Sequence, residues 1–98
     1  MTDIKQQLTE ELAAMEWRDI LPHAKRDAVI LVNEGLNLVD VGVAVAQDEA
    51  VLVEAWIAEQ MLQKPSQQQL SDWNQDPSQT FYTLIVQPFV LISFILKS

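Results

Sequence analysis

Arg18, His23, Lys25 and Arg26 fall close together in a 98-residue chain that carries six Lys and Arg against fourteen Asp and Glu, a formal net charge of -8. Guanidinium, ammonium and imidazole groups gathered in this way bind anions through charge-assisted hydrogen bonds, so a phosphorylated small molecule or an acidic partner segment is the ligand class they imply. Asp19 and Asp27 flank the cluster and offer the competing arrangement, a solvated turn with local ion pairs.

Other chemistry finds less support. His23 is the only imidazole, and the carboxylate pairs Asp48 with Glu49 and Glu54 with Glu59 lack the Glu-x-x-His spacing of helical di-metal sites, so no metal site is expected. Ser66, Ser71, Ser78 and Ser93 could each be paired with His23 on paper, but no Gly-x-Ser-x-Gly elbow holds any of them. With two glycines, Gly35 and Gly42, the chain cannot form a glycine-rich phosphate loop or a dinucleotide fingerprint. No catalytic residue and no cofactor are therefore assigned, and a non-catalytic protein is expected. The acidic balance repels phosphate backbones, which argues against nucleic acid as a partner. Without cysteine there are no disulfides, and the N-terminal Met-Thr-Asp-Ile-Lys-Gln-Gln lacks the basic and apolar stretches of a secretory signal. A cytoplasmic location is the expectation.

These side chains depend on the elements that carry them. Asp3 with Gln6 fits a helix start, and Ile4, Leu8, Leu12 and Met15 recur at helical spacing, which predicts an amphipathic helix interrupted at Glu16-Trp-Arg-Asp19. Asp19 can cap a short turn through Ile20, Leu21 and Pro22. Ala28-Val-Ile-Leu-Val32 reads as a buried strand closed by the turn Asn33-Glu34-Gly35. Leu36 to Ala46 fits two readings. Val39, Val41, Val43 and Val45 alternate as in a strand, whereas Asn37 with Asp40 resembles a helix start and favours the helix, in which Gly42 would cost about 1 kcal/mol relative to Ala.

Asp48 to Leu62 predicts a helix that is apolar on nearly every side, a pattern of buried helices. A chain this small has little with which to cover it, so Val53, Trp56, Ile57 and Met61 are candidates for a homo-oligomer interface. Ser66 with Gln69 forms a capping box that opens a further helix through Leu70 and Trp73.

The closing run Phe81 to Ser98 is free of charge before Lys97. A membrane span needs about 20 apolar residues; this run is shorter, and Gln87-Pro88 divides it. Its β-branched and aromatic content predicts two strands, near 81–86 and 89–95, with Pro88 at the break. A C-terminal tail anchor is the weaker reading. The expected fold class is α+β: one domain over residues 1–98, with strands near 28–32, 81–86 and 89–95 in a small sheet covered on one face by about four helices.

The segments Trp17-Arg-Asp-Ile-Leu21, Leu36-Asn-Leu-Val-Asp-Val41, Val53-Glu-Ala-Trp56 and Gln87-Pro-Phe-Val-Leu-Ile92 together resemble an uncharacterised bacterial family, domain of unknown function 2288. The resemblance implies a small stand-alone cytoplasmic protein and supplies no activity or site residue. Two functions follow from the residues themselves: a self-associating interaction or regulatory module, or an anion- or small-molecule-binding protein or enzyme built on Arg18, His23, Lys25 and Arg26.

Overall fold

In the computed structural model, which describes residues 3–95, the apolar run after Ala28 becomes an inner strand of a five-stranded mixed sheet. The elements in chain order are α1 (Ile4–Glu11), β1 (Ala13–Glu16), α2 (Trp17–Lys25), β2 (Val29–Val32), α3 (Leu38–Ala46), α4 (Ala50–Ala58), β3 (Leu62–Gln63), α5 (Gln67–Gln75), β4 (Thr80–Val86) and β5 (Phe89–Phe94). The sheet order is β1-β4-β5-β2-β3. β4 and β5 form a hairpin around Gln87-Pro88, with Val86 opposite Phe89, and β5 lies parallel to β2, with Val29 opposite Val90. The fold is α+β, and the C-terminal run supplies the centre of the sheet. No helix among the described residues is long and apolar enough to cross a membrane. Leu96, Lys97 and Ser98, the end of that run, lie outside the described residues.

Both sheet faces are covered, not one. Successive strand side chains point to opposite faces. Val29, Leu31, Phe81, Val90 and Ile92 therefore meet Trp17 and Ile20 of α2 and Trp73 of α5, while Val32, Leu84, Val86 and Leu91 meet Leu8 of α1 and Leu38, Val39 and Val41 of α3. A strand packed on both sides has no polar face, which is why Val29–Val32 lacks alternation.

Several elements differ from the sequence-based expectation. The first helix stops at Glu11, and Met15 sits in β1, opposite Phe81 of β4. Helical spacing in Leu12 and Met15 is outweighed by the hydrogen-bonded ladder that Ala13–Glu16 makes with β4. α2 begins at Trp17 instead of being capped by Asp19, because a distant loop receives its first donors: Trp17 N–H bonds Gln79 O at 2.8 Å and Arg18 N–H bonds Pro77 O at 3.0 Å. It continues through Pro22, which faces solvent. The predicted helix over Asp48 to Leu62 is cut to Ala50–Ala58, and Leu62 pairs with Val32 as part of β3.

The helix of the ambiguous segment is confirmed: Asn37 accepts hydrogen bonds from the N–H groups of Val39 and Asp40 at 2.9 and 3.1 Å and caps α3. The Ser66–Gln69 capping box is also present. Gly42 has a packing reason that helix propensity does not reveal. A Cβ there would lie 2.6 Å from Leu84 Cδ2 and 3.3 Å from Leu8 Cδ1, so its absence lets α3 seat closely against α1 and β4.

α2, α3 and α4 all end in the same way without glycine. Asp27, Asp48 and Gln60 take left-handed backbone, with φ of 60°, 56° and 62°. Around each, paired bonds close the turn: Ala28 N–H to His23 O with Asp27 N–H to Ala24 O, Glu49 N–H to Ala44 O with Asp48 N–H to Val45 O, and Met61 N–H to Trp56 O with Gln60 N–H to Ile57 O. This is the Schellman pattern, in which orphan carbonyls of the last turn are satisfied.

Candidate functional site

The predicted basic cluster is spread along α2. Arg18 lies in its first turn, with Nε 3.3 Å from Glu16 Oε2. His23 and Lys25 lie in the last turn and Arg26 at the cap, roughly 10 Å further along the axis at 1.5 Å per residue. Arg26 Nη2 donates to His23 Nδ1 at 2.8 Å, which requires the Nε2–H tautomer of the ring. Local contacts thus engage Arg18, His23 and Arg26, and all four side chains lie outside the two grooves described below. Asp27, which flanks the cluster, is bound by Lys64 from the start of the next loop.

The tryptophans separate into two roles. Trp17 and Trp73 are buried with Phe81 in edge-to-face contacts, with ring centroids 5.0 Å apart for Trp17–Trp73 and 4.8 Å for Trp73–Phe81. Trp17 Nε1 donates to Asn74 Oδ1 at 2.8 Å, so its polar atom is satisfied. They are core. Trp56 is instead half-buried on α4.

α4 is the anomaly. Its sequence, AVLVEAWIA, is apolar around nearly the whole circumference, yet none of its residues is buried. Val53 and Trp56 turn toward α3 and the sheet and pack on the core. Val51 and Leu52 face outward, 84% and 41% exposed, Ile57, 55% exposed, stands beside Val53 over the cleft described below, and Ala55 and Ala58 are exposed on the same side as Val51. The left-handed residues Asp48 and Gln60 bracket the helix. Among the predicted interface residues, Ile57 is the exposed one. Val53 and Trp56 form the helix's inner side, and Met61, half-buried, lies beyond the α4 cap, where its carbonyl accepts the Asn33 N–H at 2.8 Å.

A cleft of about 500 Å³ opens between α4, the end of α3 and the β2–β3 edge of the sheet. Ile30, Ala44, Val45, Val53, Ile57, Leu62 and Phe89 supply its apolar walls, and Asp48, Glu49, Glu54, Gln63 and Lys64 its polar margin. Phe89, 38% exposed, stands at the start of β5, where the period-2 alternation of that strand puts it on the same face as Leu91. Sequence reasoning missed Phe89 and Val51. For Val51 the signal available was the even circumference of α4, which no single-faced packing can satisfy, whereas Phe89 sits in β5 without a comparable signal.

A second groove, about 510 Å³, lies on the same sheet face beyond α1, where Thr9, Asn37, Tyr82 and Ser93 line it. Its cation, Lys5, is held 3.2 Å from Asp40. No group of three or more potential metal-binding side chains gathers among the described residues.

The sequence matches a family described as "Protein of unknown function (DUF2288)" over residues 3–93, nearly its whole length. Among solved structures, the fold is similar to the NMR solution structure of PA1075 from Pseudomonas aeruginosa, with a TM-score of 0.80 and 28% identity over 99% of this chain and 89% of the other. No curated protein matches.

Proposed function

The chain belongs to this family of proteins of unknown function, and we propose that it acts as a non-catalytic, self-associating interaction module in which α4 of one copy packs on α4 of a second. The observation that carries this reading is the outer stripe of α4: Val51, Ala55 and Ala58 recur at helical spacing on an exposed face, with Leu52 beside them. Small residues along such a stripe let two backbones approach closely, and the flanking aliphatic side chains then lose water on contact. Each exposed aliphatic side chain that becomes fully buried contributes on the order of 1.5–3 kcal/mol, before the cost of association.

Size limits the strength. At 1.5 Å per residue α4 is about 13 Å long, short of what the roughly 800 Å² per partner of a standard interface requires, so a transient pair of micromolar affinity is expected. Glu54 and Glu59 would be brought near their counterparts in such a pair, which predicts tighter association as salt screens them. The test is sedimentation equilibrium of the wild type and of Val51→Asp at low and high salt. A concentration-dependent dimer, strengthened by salt and abolished by Val51→Asp with unchanged far-UV circular dichroism, is expected. A wild type that stays monomeric to high micromolar concentration removes the reading.

A further inference from the structure

We infer that the cleft beneath α4 binds a small organic cation with an apolar body, an arylalkyl or alkyl ammonium ion. Its volume of about 500 Å³ lies within the roughly 300–1,000 Å³ range of small-molecule sites. Ile30, Val53, Ile57 and Phe89 offer an apolar trough from two layers of the fold, so a ligand body can lie between helix and sheet.

The margin selects the charge. Asp48, Glu49 and Glu54 all line the cleft, and none of them pairs with a cation among the described residues. The single basic side chain on the margin, Lys64, is held by Asp27 on its far side. An ammonium head placed at the α3–α4 junction would therefore meet uncompensated carboxylates as charge-assisted acceptors, whereas a carboxylate head would meet like charge. This site uses the inner flank of α4, through Val53 and Ile57, and does not rest on the self-association proposed for Val51, Ala55 and Ala58.

The experiment is an amide NMR titration of the full chain with phenylpropylamine, phenylpropanol and phenylpropionate, repeated on Val51→Asp. Saturable shifts at Ile30, Val45, Val53 and Phe89 are expected in both proteins, with the amine about fivefold tighter than the carboxylate, the size of a solvent-exposed charge pair. The triple substitution Asp48→Asn, Glu49→Gln and Glu54→Gln should erase the amine's advantage and leave phenylpropanol binding unchanged, and Phe89→Ala should weaken all three ligands. Equal affinity for the three ligands, shifts scattered over acidic residues without saturation, or no shifts at the cleft would each overturn the inference. Binding to the wild type but not to Val51→Asp would also overturn it, since a single chain would then not form the site.

Discussion

On the α2–α5 face of the sheet, Trp17, Trp73, Phe81 and Phe94 interlock edge to face around Val29, Leu31, Val90 and Ile92, and the indole N–H is bonded to Asn74. On the opposite face, α1 and α3 close tightly over Leu84 and Leu91, but α4 leans on the edge and leaves Phe89, Ile57 and a cleft open to water. Aromatic side chains with fixed geometry fill one face, while α4, seated through Val53 and Trp56 alone, leaves the other incomplete. The contrast separates what holds the domain together from what is available to a partner.

The largest expected effect lies on the closed face. Trp17→Ala should cost about 3–5 kcal/mol of unfolding free energy in urea titrations, the range for deleting a buried aromatic, whereas Phe89→Ala on the open face should cost about 1 kcal/mol or less. Similar losses at the two positions would erase the distinction between the faces. A smaller effect is expected where the open face is tightest. Gly42→Val should destabilise by about 2 kcal/mol through overpacking against Leu84. Gly42→Ala should be near neutral, the clash offsetting the propensity gain of about 1 kcal/mol. If thermal melts show Gly42→Ala stabilising by that full amount, close seating of α3 is not the reason for glycine.

The smallest effect concerns the helix that borders the cleft. Gln60→Gly should stabilise the fold by about 1 kcal/mol, because left-handed backbone costs an L-residue roughly 1–2 kcal/mol and glycine nothing comparable. Asp48→Gly should gain less, since aspartate tolerates that conformation better. Melting temperatures of the two variants, ranked in that order, would support a length of α4 set by its end motifs. A loss of stability in Gln60→Gly would count against it.

Much of the scaffold was legible. Ala28 to Val32, the two strands on either side of Gln87-Pro88, the Asn37 cap and the Ser66–Gln69 box each rest on interactions within a few residues or on a run of one residue type, and these survive folding nearly unchanged, whereas the pairing of the two strands as a hairpin is a finding of the fold. β1 and β3 were not legible. Ala13–Glu16 and Leu62–Gln63 have little strand character of their own and are strands because β4 and β2 present free edges to them. The helix ends at Asp27, Asp48 and Gln60 were hidden for another reason: a reader expects glycine at left-handed positions, and both glycines of this chain serve elsewhere. For the candidate surface, the sequence singled out the α4 region by its uniform apolarity, but not which side faces the core.

The sequence by itself determined composition and pattern: an acidic, cysteine-free chain with an apolar, β-branched C-terminal run divided at Gln87-Pro88, and a central helix without a polar face. Those properties are sums over side chains and need no partner. The tertiary structure alone decided that both faces of the sheet are covered, that α2 takes its first hydrogen bonds from the loop before β4, and that Val51 and Phe89 stay in water while Trp17 and Trp73 do not. Burial and hydrogen-bond partnership belong to pairs of residues distant in sequence, and only the folded chain brings those pairs together.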